Sequence, residues 1–131
     1  MSIQFAINVL SHSPAYCSAD ESSRVLAAFV VDGVAERTGG LLPEPSPRRN
    51  VIAFYPRPTE ARRRSNPVVF EFIRKTDVSL TIGLAPPPSF FIQLGFRRLL
   101  VRGRPPFSRA RGRDLNDVEE LIEMVCAALR Y

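Results

Sequence analysis

Between Phe96 and Arg113 the chain reads "FRRLLVRGRPPFSRARGR", with seven arginines in eighteen residues. Guanidinium groups at this density suit recognition better than catalysis. Each is permanently charged and presents a planar fork of donors that matches phosphate or carboxylate oxygens and stacks on flat rings. A second cluster, "ARRR" with Arg62, Arg63 and Arg64, lies upstream. Glu60 and Glu71 stand isolated among these arginines and are expected to form salt bridges.

Other reactive residues are sparse. His12 precedes Cys17 in "SHSPAYC", and a Cys–His pair can make a nucleophile. No Asn or Asp stands at an orienting distance in sequence, so a turn histidine and a small packed cysteine are expected instead. One His and two Cys in the whole chain do not make a zinc site. The stretch "GRPPFSRARG" lacks the lysine and the glycine spacing of a phosphate-binding loop. Neither catalytic residues nor a metal or cofactor is expected.

The charge is segregated. Residues 1–47 hold two Arg against five acids, a net −3; residues 48–113 hold fourteen Arg and one Lys against three acids, a net +12. Residues 114–131 return to a net −4, with one Arg against five acids. A basic centre between acidic ends describes a patch, since a uniform background would spread the charge along the chain.

The elements that must carry this patch follow from periodicity. At 131 residues and 45% apolar content the chain is expected to form one domain, 1–131, with a core that needs no metal or disulfide. Residues 3–9 alternate, with Ile3, Phe5, Ile7 and Val9 on one side, and read as a strand. Ser18 followed by Glu21 reads as a capping box. It opens a helix through Val25, Leu26, Phe29, Val30, Gly33 and Val34 that stops at Gly39-Gly40. After the Pro-rich connection 41–50 come a short strand at 51–55 and a basic loop at 56–67 with a helical turn near Thr59–Arg64.

Two strands, 68–75 and 78–85, read as a hairpin with Val68, Phe70 and Phe72 on the face of Val78, Leu80, Ile82 and Leu84. Residues 90–94 read as a strand with Phe90, Ile92 and Leu94 inward and Phe91 outward. The apolar parity shifts after Gly95, which places a turn there and a last strand at 98–103 with Leu99 and Val101 inward. A basic loop at 103–113 then leads to Asp114, which caps an amphipathic helix over 115–130. The expected fold is an α+β two-layer sandwich, a mainly antiparallel sheet in the order β-α-β-β-β-β-β-α with two helices on one face.

Such a sandwich leaves one sheet face open, and the function expected of it is binding to nucleic acid. RNA is preferred over DNA, gripped by its phosphate backbone with little sequence specificity. Lys75, Phe91, Arg98 and Arg102 are expected on the open face, Arg98 and Arg102 as the fixed pair. Arg62, Arg63, Arg64, Arg97, Arg104, Arg109, Arg111 and Arg113 are expected to attract the ligand from turns and loops. Phe91 or Phe107 would stack on a base.

Both expected helices carry acids on their polar sides, which argues against a helix entering the major groove. The alternative is an interaction module whose basic patch and sheet edge take an acidic protein or a second copy of the chain, as a homodimer. No apolar run reaches the length of a membrane span, and no secretory pattern opens the chain, so an intracellular protein, cytoplasmic or nuclear, is expected.

Overall fold

Large apolar residues at alternate positions make the centre of the sheet. In the structure, a computed structural model that describes residues 3–38, 41–45, 51–56, 68–71, 79–103 and 105–131, β3 (Val68–Glu71) and β4 (Leu80–Leu84) pair antiparallel. Val68 stands opposite Leu84, and Phe70 opposite Ile82. These four, with Leu80, are buried. The β3–β4 pairing and its inward face are those the alternation predicts; Phe72, Val78 and the joining turn lie outside the described residues.

Among the described residues six strands form one antiparallel sheet. Besides β3 and β4 these are β1 (Leu41–Pro45), β2 (Val51–Pro56), β5 (Leu100–Val101) and β6 (Ser108–Gly112), in the order β1-β2-β3-β4-β6-β5. Helices α3 (Glu21–Thr38) and α5 (Val118–Arg130) pack on each other and on the sheet, α3 over β1 and β4 and α5 over β3 and β6. The fold is thus an α+β sandwich with a mainly antiparallel sheet. Two short helices precede α3: α1 (Ile3–Leu10), which packs on it, and α2 (Pro14–Cys17).

Besides α2, which forms where a turn is expected, the element order departs from the predicted one in four places. Residues 3–10 are helical, because Ile3, Ala6, Ile7 and Leu10 form an i, i+3, i+4, i+7 stripe. Ala6 and Leu10 are buried, Ile3 and Ile7 pack on the core, and Phe5 faces out. A period of two and a period of 3.6 share Ile3 and Ile7, and packing against α3 selects the helix. In α3 itself the buried side carries Ala27, Ala28, Val31 and Ala35 besides Leu26, Val30 and Val34, while Val25 and Phe29 are exposed. Ser18 does not box this helix; it caps the C-terminus of α2.

The second departure is β1, which forms within the Pro-rich connection. Proline is tolerated in an edge strand, and β1 is the sheet's outermost strand. Third, residues 88–93 form α4 (Pro88–Gln93), with Pro88 at its first turn, where the missing N–H costs nothing. The helical turn swings Phe91 inward to full burial and leaves Leu94 exposed, reversing the predicted faces of these two, while Phe90 packs on the core and Gln93 faces out as predicted.

Last, the expected strand at 98–103 shrinks to Leu100–Val101, and β6 forms inside the expected loop 103–113. The register sets Leu100 beside Ala110 on the helix side and Val101 beside Arg109 on the other. Leu99 is buried from the turn before β5. β6 alternates Ser108, Ala110 and Gly112 inward with Arg109 and Arg111 outward, so its inward residues are too small to show as a strand in the sequence.

Candidate nucleic-acid interface

The face away from α3 and α5 is built in rows by the strand register. One row runs Val69, Gly83, Arg109, Val101; the next runs Glu71, Thr81, Arg111. Arg109 and Arg111 are two residues apart on β6, hence on the same face and about 7 Å apart along the strand. β6 lies between β4 and β5, so both arginines stand on a strand paired at both edges.

Each arginine is anchored differently. The Arg109 guanidinium reaches diagonally across β4 to Glu71, with Nη2 donating to Oε1 at 2.7 Å and Nε to Oε2 at 3.2 Å. It crosses over Gly83, where an added methyl would already touch Glu71 Oε2 at 3.6 Å. Arg111 Nε donates to the Thr81 hydroxyl at 3.2 Å. Thr81 is buried although it belongs to the outer face, which fits its position beside the Arg111 side chain.

The predicted roles of the arginines are therefore exchanged. Arg109 and Arg111, expected in a mobile loop, are strand residues. Arg98, expected as a fixed outward residue of the sheet, lies in the turn before β5. There Nη1 meets Asp117 Oδ1 at 2.8 Å, and Nη2 and Nε meet Glu120 Oε1 at 3.2 and 3.3 Å. Two carboxylates from the start of α5 and the turn before it thus pair this guanidinium, whose side chain is 60% exposed. Arg97, Arg102 and Arg113 are exposed.

Phe91 is excluded from stacking on a ligand by its burial, whereas Phe107 is half-exposed, between β5 and β6. Arg62, Arg63, Arg64, Lys75 and Arg104 lie outside the described residues. The strand ends still show where their segments attach. Segment 57–67 joins the end of β2 to the start of β3, at Val68, in register with Leu84 and Ser108. The 102–107 connection enters β6 at this same end.

Asp117 links the site to α5. The 3₁₀ turn Leu115–Asp117 is capped by Asp114, whose carboxylate accepts the Asn116 N–H at 2.9 Å. Asp117 is buried and accepts the backbone N–H of Arg113 at 2.8 Å. This bond, followed by the pairing with Arg98, holds its carboxyl below the usual aspartate range.

A depressed folded-state value gives stability that is complete above the unfolded value of about 3.9 and is lost as pH falls through the folded one. Asp117→Asn is therefore expected to lower stability by about 1–2 kcal/mol at neutral pH. It should also flatten the loss below about pH 4, as measured by urea unfolding between neutral and acid pH.

The remaining sequence candidates are dispersed. His12 lies in the turn between α1 and α2, and the exposed Cys17 directs its thiol to the Ser11 carbonyl at 3.4 Å. Cys126 is buried in α5, and burial pushes its thiol up. Among the described residues no three His, Cys, Asp or Glu side chains gather as metal ligands, and no helix is long and apolar enough to cross a membrane.

The edge strands offer little to a second sheet, since β1 contains Pro43 and Pro45, which have no N–H, and β5 spans two residues. Sequence reasoning missed Glu71 and Thr81 as the partners of the β6 arginines. The small-Arg-small alternation of "SRARG" was the signal for their strand. Comparison of this chain with family models, curated proteins and solved structures finds no match.

Proposed function

We propose that the protein binds nucleic acid by its phosphate backbone, RNA in preference to DNA, across the outer face of β3, β4 and β6. The observation that carries this reading is the placement of Arg109 and Arg111 at successive outward positions of a paired strand. Exposed Arg102 and the attachment points of two arginine-rich segments stand at one end of that strand. Two guanidinium groups spaced along an extended strand suit consecutive phosphates of a chain more than one compact anion. Contacts of this kind position a backbone without reading bases.

Single-stranded RNA is the preferred form, because sheets and their loops engage unpaired strands, whereas groove entry calls for a basic helix. In the first turn α5 carries Glu119 and Glu120.

The test is fluorescence anisotropy with labelled single-stranded RNA, duplex RNA and single-stranded DNA over a salt series. Affinity is expected to fall steeply with salt. Arg102→Gln combined with Arg111→Gln should weaken binding to all sequences alike and reduce the slope of log K against log salt by about 1.4 on single-stranded RNA. A slope near zero, or no binding at about 50 mM salt, would remove the reading. If poly-glutamate bound instead, an acidic protein would replace RNA as the partner.

A further inference from the structure

Within a segment of net charge +12, the arginine best placed on the outer face is neutralised from inside. Among the described residues of strands β3 to β6 Glu71 is the one acid, and it fills the two-donor edge of Arg109 formed by Nε and Nη2. We propose that Glu71 is a built-in competitor for the phosphate, an autoinhibitory contact that keeps Arg109 folded across β4 until a polyanion displaces it. This rests on the function proposed above and assigns Glu71 the role of setting its affinity and salt threshold.

Three features make the contact displaceable. The Arg109 side chain is 36% exposed and that of Glu71 19%. A pair so placed is screened by water, so exchanging one oxyanion for another costs little. Gly83 puts no side chain beneath the crossing, where an added methyl would meet Glu71 Oε2 at 3.6 Å, so the pair lies over bare backbone there. The exchange also conserves geometry: phosphate oxygens accept the same two-donor fork that the carboxylate now fills. Arg111 is the neighbouring cation in the next row, held over Thr81.

Simple repulsion by Glu71 would also tighten binding when its charge is removed, so the discriminating experiment is a double-mutant cycle. Wild type, Glu71→Gln, Arg109→Gln and the double variant are titrated with the same labelled single-stranded RNA over the same salt series, each after a thermal melt shows it folded. Glu71→Gln is expected to bind about three- to fivefold tighter than wild type, and the gain should vanish when Arg109 is already Gln.

Glu71→Ala provides the same cycle should the Gln side chain retain Arg109. Equal gains in the two backgrounds would show general repulsion and overturn the competitor role, and so would no gain at all with wild-type binding intact. Absence of RNA binding in every protein would overturn the underlying reading and this one with it.

Discussion

Phe91→Ala is expected to remove about 3–5 kcal/mol of stability, which is a large part of what a domain of this size possesses. The ring is fully buried and meets Phe90 edge to face, with centroids 5.1 Å apart and planes at 82°. Phe90 in turn meets Tyr131 just beyond α5, so α4 and the end of α5 are joined through aromatic contacts. The Phe91 carbonyl also accepts N–H groups from Leu94 and Phe96, which close the α4 turn. Removing the ring leaves a cavity under a helix of six residues that has little stability of its own.

Urea unfolding followed by far-UV circular dichroism measures the loss. The companion variant, Phe107→Ala, should stay within about 0.5 kcal/mol of wild type, since that ring is half-exposed. RNA affinity per folded molecule should be unchanged by Phe91→Ala. An unaltered melt with lost binding would put the ring against the ligand and refute its place in the core.

What was legible in the sequence depended on how large the inward residues are. The β3–β4 pairing and α5 were readable because Val68, Phe70, Leu80 and Ile82, or Leu121, Ile122 and Val125, repeat with one period each. Residues 3–10 satisfied two periods at once, and only contact with α3 decides between them. β6 was hidden because α5 lies so close above it that its inward positions hold Ser108, Ala110 and Gly112.

That single strand explains the exchange of roles at the site. With 108–112 read as loop, Arg109 and Arg111 lost their fixed positions, and Arg98 was given one it does not have. The Arg98 partners, Asp117 and Glu120, are distant in sequence and come near through the packing of α5. No periodicity in the basic segment encodes that. The salt bridge expected of Glu71 was a composition argument, and it held because an isolated acid among arginines on one face finds a cation. Its partner followed only from the register.

Gly112→Val carries the second large effect, an expected loss of about 2–3 kcal/mol from overpacking. Gly112 faces α5, where an added methyl would come to 2.5 Å from Leu121 Cδ1 and 3.3 Å from both Leu121 Cγ and Asp117 Cβ. The glycine is required by this close approach, not by backbone conformation. Valine suits a strand better than glycine does, so any loss reports the packing alone.

Leu121→Ala in the same chain should return part of the loss by vacating the volume that valine fills, a favourable coupling of about 1 kcal/mol in the double-mutant cycle. Thermal or urea melts of the four proteins measure it. Additive losses, or a Gly112→Val protein as stable as wild type, would mean that α5 is not seated on β6 as described. Arg111, one residue earlier, points to the opposite face. Measured where the variant is folded, any RNA affinity should therefore remain that of the wild type, because the small residues of this strand face the core and its arginines face away from it.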